Sequence, residues 1–96
     1  MALDVPATLG NADQRWETHL IDLSLNGVLV AYPAGWSGQT GDHFTLSLQL
    51  HNRSLLTLQV IIRQIHKDRI GMAFVDMDGG SREEIRWLVK IGRAHV

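Results

Sequence analysis

A hydrophobic period of two runs through most of this chain and constrains its fold more than any other feature. Between Phe44 and Leu50 every second residue is apolar, and polar side chains stand between them. After a polar break at 51–54, the same alternation resumes from Leu56 to Ile62. Because successive side chains of a strand point to opposite faces, this pattern predicts two half-buried antiparallel strands joined as a hairpin.

Four further strands are predicted from residue type and alternation. They are expected at Val5–Leu9, Gln14–Ile21, Gly27–Tyr32 and Arg69–Asp76. In the last of these both alternating sets are apolar, which predicts a strand buried on both faces. A loop with three glycines is expected between Pro33 and Asp42.

The period changes to that of a helix near the end of the chain. Ser81 is a suitable N-cap, and Glu84 stands at the capping-box position. The apolar face is expected to consist of Ile85, Trp87, Leu88 and Val89, and the helix to span about 81–92, ending near Gly92. Six strands and one helix predict a mainly β, closed or nearly closed antiparallel barrel over about 5–76, because closure removes exposed strand edges. The helix is expected to plug one mouth or to pack on a flank.

Length, charge and amino-acid composition exclude several classes of protein and of functional site. With 96 residues, 45% of them hydrophobic, the chain is expected to be one globular domain, 1–96. A net charge of -1 gives no broad field for binding a nucleic acid polymer. The lack of cysteine excludes a disulfide framework, a thiolate metal site and a cysteine nucleophile. No signal segment or long apolar run is present, so a cytoplasmic protein without membrane insertion is expected.

The segment between the second and third strands, Asp22 to Gly27, has the most specific composition. It reads Asp-Leu-Ser-Leu-Asn-Gly, with a carboxylate, a hydroxyl and a glycine at its first, third and sixth positions. All of its polar residue types favour turns, so the residues alone predict a tight connection between two strands.

In its barrel context this segment resembles the second signature of the PilZ domain family, at Asp22, Ser24 and Gly27. The stretch Ile70–Asp76 is similar to the Gly-x-x-Phe strand of that family, and the closing helix also corresponds, so the resemblance covers the chain from Gln14 onward. It implies a six-stranded PilZ-type barrel with one C-terminal helix and a bacterial receptor module for cyclic di-GMP. It implies neither an enzyme nor a cofactor, and it implies a protein partner in a motility, biofilm or exopolysaccharide pathway.

The resemblance also implies a ligand site, and the chemistry is consistent with it. An ionised Asp22 can accept hydrogen bonds from a guanine edge, and Ser24 with nearby backbone amides can donate to phosphate or guanine oxygens. Gly27 supplies a missing Cβ and a free φ. The predicted ligand-binding residues are Asp22, Ser24, Asn26 and Gly27.

One departure from the family keeps an alternative open. Cyclic di-GMP binders of the family resemble one another in an Arg-x-x-x-Arg signature before the first barrel strand, whereas Met1–Gln14 contains no arginine or lysine. Binders also place an aromatic or basic side chain near the end of the fifth strand, where Arg63 is the candidate here. The alternative is a PilZ-like protein-interaction domain that does not bind the nucleotide. A nucleic-acid-binding barrel of the OB type is disfavoured by the neutral charge.

Metal and catalytic sites are not expected. His43 and His51 are eight residues apart along a strand, or about 27 Å at about 3.4 Å per residue, too far to share an ion. A triad of Ser24, Asp22 and His19 is disfavoured because His19 is expected on the opposite face of its strand. Trp36, in the glycine-rich loop, is expected to fold back onto the barrel rim rather than to contact a ligand.

Overall fold

A computed structural model describes residues 5–49 and 55–75 and, in the C-terminal helix, residues 82, 83, 85–87 and 89. It confirms the predicted order of six strands followed by a helix. The strands are β1 (Pro6–Gly10), β2 (Arg15–Leu23), β3 (Gly27–Ala31), β4 (His43–Gln49), β5 (Leu55–Ile65) and β6 (Arg69–Val75). The described helical residues form α1.

The strands form a closed barrel in the order β1-β2-β3-β6-β5-β4, and every neighbouring pair is antiparallel. Pairing of β1 with β4 closes the ring, so each strand has a hydrogen-bonded neighbour on both sides. The predicted closure is therefore confirmed.

The segment from β3 to β4 crosses one end of the barrel. Because β3 and β4 lie on opposite sides of the ring, with two strands between them in either direction, their connection has to pass over the barrel mouth. It buries Trp36 there, with 5% of its surface exposed. The Trp36 ring packs against Tyr32 and Phe44, at centroid distances of 5.6 and 6.0 Å. Trp36 therefore folds back onto the rim, as predicted, and closes this mouth.

The core consists of the inward set of each alternating strand. Its fully buried strand members include Leu9, Val30, Leu46, Leu48, Val60, Ile62 and Ile70. From α1, Ile85 and Val89 are buried in the same cluster, which confirms them as members of the apolar helix face. Trp87 was predicted on that face but is 49% exposed, so this part of the prediction is wrong.

The prediction that β6 is buried on both faces is also wrong. Its inward residues Ile70 and Met72 are buried, whereas the outward Gly71, Ala73 and Val75 are only partly covered. The outer face of β6 is therefore half-buried and has no second core over it among the described residues. Leu50, the predicted turn at 51–54 and Asp76 lie outside the described residues, as do Ser81, Glu84, Leu88 and Gly92.

Candidate ligand-binding site

The segment from Asp22 to Gly27 begins inside a strand. The strand β2 was predicted to end at Ile21 but continues through Leu23, which pairs with Val28 of β3. Only residues 24–26 form the connection. Asp22 is thus held by the sheet rather than by a turn, and its side chain has a direction fixed by the strand.

A β-bulge at Ile21 sets that direction. Leu20 pairs with Val30 and Asp22 pairs with Leu29, so Ile21 is an extra residue without its own partner. Leu20 and Leu23 are both buried, although they are three positions apart, and Asp22 is exposed. In a regular strand Asp22 would follow Leu20 into the core. The bulge therefore turns the carboxylate to the outer surface of the barrel.

The hydroxyl of Ser24 organises the connection. Its Oγ donates to the carbonyl of Gly27 at 3.2 Å and accepts from the backbone amides of Gly27 and Asn26, at 3.2 and 3.3 Å. The Ser24 amide also donates to the Gly27 carbonyl, at 2.9 Å. The Ser24 side chain thus builds the turn, and its role as a direct donor to a ligand stays a prediction.

Gly27 is required by a close approach of two backbones. A Cβ at this position would lie 2.4 Å from the carbonyl oxygen of Met72 in β6. Next to it, the Phe74 amide donates to the Asn26 carbonyl at 3.2 Å. Because it has no side chain, Gly27 therefore allows the turn to pack directly against β6.

The Asp22 carboxylate keeps acceptor capacity. Its Oδ1 accepts from the Leu23 amide at 2.9 Å, whereas a carboxylate offers about four lone-pair directions. Asp22, Ser24 and Gly27 line a shallow cavity of about 130 Å³ together with Leu23, Val28 and Leu29. The structure thus brings three of the four predicted site residues together, and Asn26 lies at the tip of the same turn.

A row of residues continues from Asp22 across the outer face. Asp22 pairs with Leu29, Leu29 with Gly71, and Gly71 with Gln64, so the row crosses β2, β3, β6 and β5. Gly71 leaves a gap between its neighbours, because a Cβ built there would be 3.8 Å from Leu29 and 3.6 Å from Gln64. This outward row, called the trough below, thus has Asp22 at one end, no side chain at Gly71 and an amide side chain at the other end.

A second bulge lies at the far end of this trough. In β5 the pairing shifts between Ile62 and Gln64, so Arg63 is the extra residue. Ile62 stays buried and Arg63 is exposed. The bulge places an arginine beside Gln64, the last member of the row. Sequence alternation did not reveal either bulge, although the three-residue spacing of Leu20 and Leu23 is a signal for the first.

The geometry assumed for the hydrolytic triad is corrected. Because of the bulge, His19 and Asp22 are exposed on the same outer side of β2 rather than on opposite faces. The Ser24 hydroxyl, however, bonds within its own turn. Within the part of the chain that the structure describes, no three histidine, aspartate or glutamate side chains group together as metal ligands.

No helix among the described residues has the length and apolar character needed to cross a membrane.

A larger concavity lies on another part of the barrel surface and contains no motif residue. It has a volume of about 400 Å³ and is lined by hydroxyl side chains of β1 and β4 with Arg15 and Leu55 at its edge. Size alone does not identify the ligand site. Besides hydroxyls and one cation, this hollow is lined by Asn11, whose Oδ1 already accepts from the amides of Asp13 and Gln14.

Solved structures of other proteins share the fold of this chain. The structure matches the inhibitor of motility MotI from Bacillus subtilis with a TM-score of 0.84 and 13% identity, covering 99% of this chain and 49% of that one. The chain thus spans about half the length of that relative. The PilZ domain of YcgR from Escherichia coli, solved with cyclic di-GMP, matches with a TM-score of 0.78 and 14% identity, covering 90% of this chain and 79% of that one.

A third match is the PilZ domain of CeSA from a cellulose-synthesizing bacterium. Its TM-score is 0.75 and its identity 16%, and the match covers 93% of this chain and 92% of that one. At these identities the structural matches show a shared fold. The sequence itself matches the profile of the PilZ domain over residues 1–90. The chain therefore belongs to the PilZ domain family, whose members are generally cyclic di-GMP receptors or adaptors.

Proposed function

We propose that this chain is a cyclic di-GMP-binding adaptor module, and that the ligand lies along the trough from Asp22 to Gln64. The observation that carries the proposal is the outward direction of Asp22, which the bulge at Ile21 imposes. A carboxylate at the end of a partly apolar trough fits a guanine, which presents N–H donors at one edge and a flat face for packing.

The walls of the trough suit each part of the ligand. The guanine edge is held by Asp22, while Leu29 and the gap at Gly71 let its face approach the sheet closely. Gln64 offers both a donor and an acceptor to the second half of the ligand. Strand spacing of about 4.8 Å puts Gln64 about 14 Å from Asp22, three strands away, so one ligand has to be extended to reach both.

The phosphates require a cation, and Arg63 is our candidate. The side chain is exposed at the β5 bulge next to Gln64. A guanidinium can donate two parallel hydrogen bonds to a phosphodiester and can also stack on a base. Arg63 would then supply part of what the Arg-x-x-x-Arg signature supplies in the family.

Calorimetric titration with cyclic di-GMP tests the proposal. We expect the 96-residue chain to bind, and a variant with Arg-x-x-x-Arg grafted ahead of Met1 to bind more tightly. Replacing Asp22 by alanine should weaken binding by about tenfold or more, since a hydrogen bond to a charged group contributes about 1.5–3 kcal/mol. The matched control is Glu17→Ala, an exposed carboxylate of the same strand that lies outside the trough.

The alternative is a PilZ domain that binds a protein but no nucleotide. If neither the natural chain nor the grafted chain binds cyclic di-GMP, the receptor proposal is wrong and this alternative replaces it. If Glu17→Ala weakens binding as much as Asp22→Ala, the ligand lies elsewhere and the trough is not the site.

A further inference from the structure

The barrel end that carries the β5–β6 turn has a second surface that the nucleotide site does not use. We propose that it docks an acidic segment with apolar side chains from another protein. The surface consists of Tyr32, Ile65, His66 and Lys67, and is called the hairpin surface below. This inference goes beyond the proposed function and does not depend on nucleotide binding.

Backbone and side-chain hydrogen bonds hold the hairpin surface in place in the unbound protein. The His66 amide donates to the Arg69 carbonyl at 2.9 Å, which closes the turn. The Tyr32 amide donates to the Asp68 carbonyl at 3.0 Å, so the end of β3 is tied to the same turn. The Tyr32 hydroxyl donates to the Trp36 carbonyl at 3.2 Å. A preorganised surface loses less entropy on binding than a flexible one.

Two large apolar side chains are exposed on this rigid frame. Tyr32 is 40% and Ile65 is 39% exposed. Ile65 pairs with Ile70 at the end of β5, and the hydrogen bond from the Tyr32 amide to the Asp68 carbonyl holds Tyr32 at the same end of the barrel. Tyrosine is enriched in protein interfaces and among the residues that contribute most of the binding energy, which makes Tyr32 the anchor of this surface.

The charge of the surface determines which partner it fits. Lys67 and Arg69 stand beside a single carboxylate, Asp68, in a chain whose net charge is -1. Asp68 is paired with Arg69 at 3.1 Å, and within the described residues no ion pair holds Lys67. An incoming carboxylate would therefore find Lys67 available, with His66 beside it. Opposite charges of this kind steer association and set specificity.

The hairpin surface lies away from the Asp22 end of the trough and adjoins its other end, where His66 Nε2 is 3.4 Å from Gln64 Oε1. Gly27 pairs with Ala73 at the motif end of β3, and Ala31 pairs with Arg69 at the hairpin end. Four residues of strand separate the two pairs by about 13 Å. A partner on the hairpin surface therefore leaves Asp22 accessible.

Selection from a displayed library of random peptides, with the purified 96-residue chain as bait, tests this inference. We expect enrichment of peptides that combine glutamate or aspartate with apolar residues. Lys67→Glu and Ile65→Ser should each weaken a selected peptide by about tenfold or more, measured by fluorescence anisotropy. The matched control, Arg82→Glu, makes the same type of charge change at an exposed residue of α1 and should leave the affinity unchanged.

Several results would overturn the inference. One is a selection that yields no peptides, or yields neutral or basic ones. Another is a selected peptide that binds the Lys67→Glu variant as tightly as the natural chain. A third is sedimentation of the chain with phosphatidylglycerol vesicles that Lys67→Glu abolishes, in a protein that selects no acidic peptide, because the surface would then be a lipid contact. Circular dichroism of each variant confirms that the barrel is intact.

Discussion

Replacing Gly27 by alanine should destabilise the barrel far more than a methyl group normally does. The added Cβ would lie 2.4 Å from the Met72 carbonyl oxygen, whereas real Cβ contacts are essentially never shorter than 3.0 Å. At least 0.6 Å of separation, the difference between these two distances, has to be created. The obstacle is backbone in the middle of a sheet, so no side chain can rotate away.

The expected cost follows from how the strands must move. Overpacking a tightly packed site costs about 1–3 kcal/mol. Moving β3 away from β6 also weakens at least one neighbouring hydrogen bond, that from the Phe74 amide to the Asn26 carbonyl, at about 1 kcal/mol. We therefore expect Gly27→Ala to lower the free energy of unfolding by about 2–4 kcal/mol.

Urea denaturation followed by circular dichroism measures this cost, and Gly71→Ala is the matched control. Gly71 lies in β6 on the same outer face, but its added Cβ would have no neighbour nearer than 3.6 Å. That substitution should change stability by less than about 1 kcal/mol, in the stabilising direction, because alanine restricts the unfolded chain. Equal stability of Gly27→Ala and the natural chain, or a greater loss for Gly71→Ala, would refute the reasoning.

Three further predictions follow from the same geometry. Trp36→Ala should lower the free energy of unfolding by about 3–5 kcal/mol in urea, because it empties the buried closure of one barrel mouth; a loss below about 1 kcal/mol would contradict that role. Deleting Ile21 should leave a folded barrel by circular dichroism, since the bulged residue has no partner of its own, whereas deleting Thr45 from β4, whose pairing with both neighbours is regular, inverts the residues on one side of the deletion and should unfold the chain. The Arg69 guanidinium lowers the pKa of Asp68 by hydrogen bonding and charge, so the small stabilisation from this exposed pair is present above the ordinary pKa of aspartate and is lost as pH falls through the lowered value. Arg69→Ala should raise the Asp68 pKa in an NMR titration, and an unchanged value would show that the pair does not form in solution.

The strands were predictable because each has one face in the core. The predicted alternation is seen from Phe44 to Leu48 in β4 and from Leu56 to Ile62 in β5, where buried and more exposed residues follow the same period. The order of strands round the barrel was not predictable, because alternation shows which face is buried and not which strand is adjacent. The pairing of β3 with β6 depends on contacts between residues far apart in sequence.

The sequence predicted which segment forms the candidate ligand site, but not the three-dimensional arrangement of its side chains. Turn-forming residues marked the connection after Asp22, and Ser24 does build that turn. The bulge at Ile21 adds one residue within an otherwise regular strand, and its effect on Asp22 depends on the partner strand. The trough at Gly71 likewise requires the pairing of β3 with β6, because its walls come from two different neighbours. That these residues bind a ligand stays a prediction.

The most direct test of the central claim is an NMR titration of the labelled chain with cyclic di-GMP, observed through its backbone amides. The account predicts shifts concentrated along the trough, at Ser24, Gly27, Leu29, Gly71 and Gln64, with the turn at Lys67 unaffected. Shifts concentrated elsewhere on the barrel, or no shifts at a large excess of the nucleotide, would contradict it.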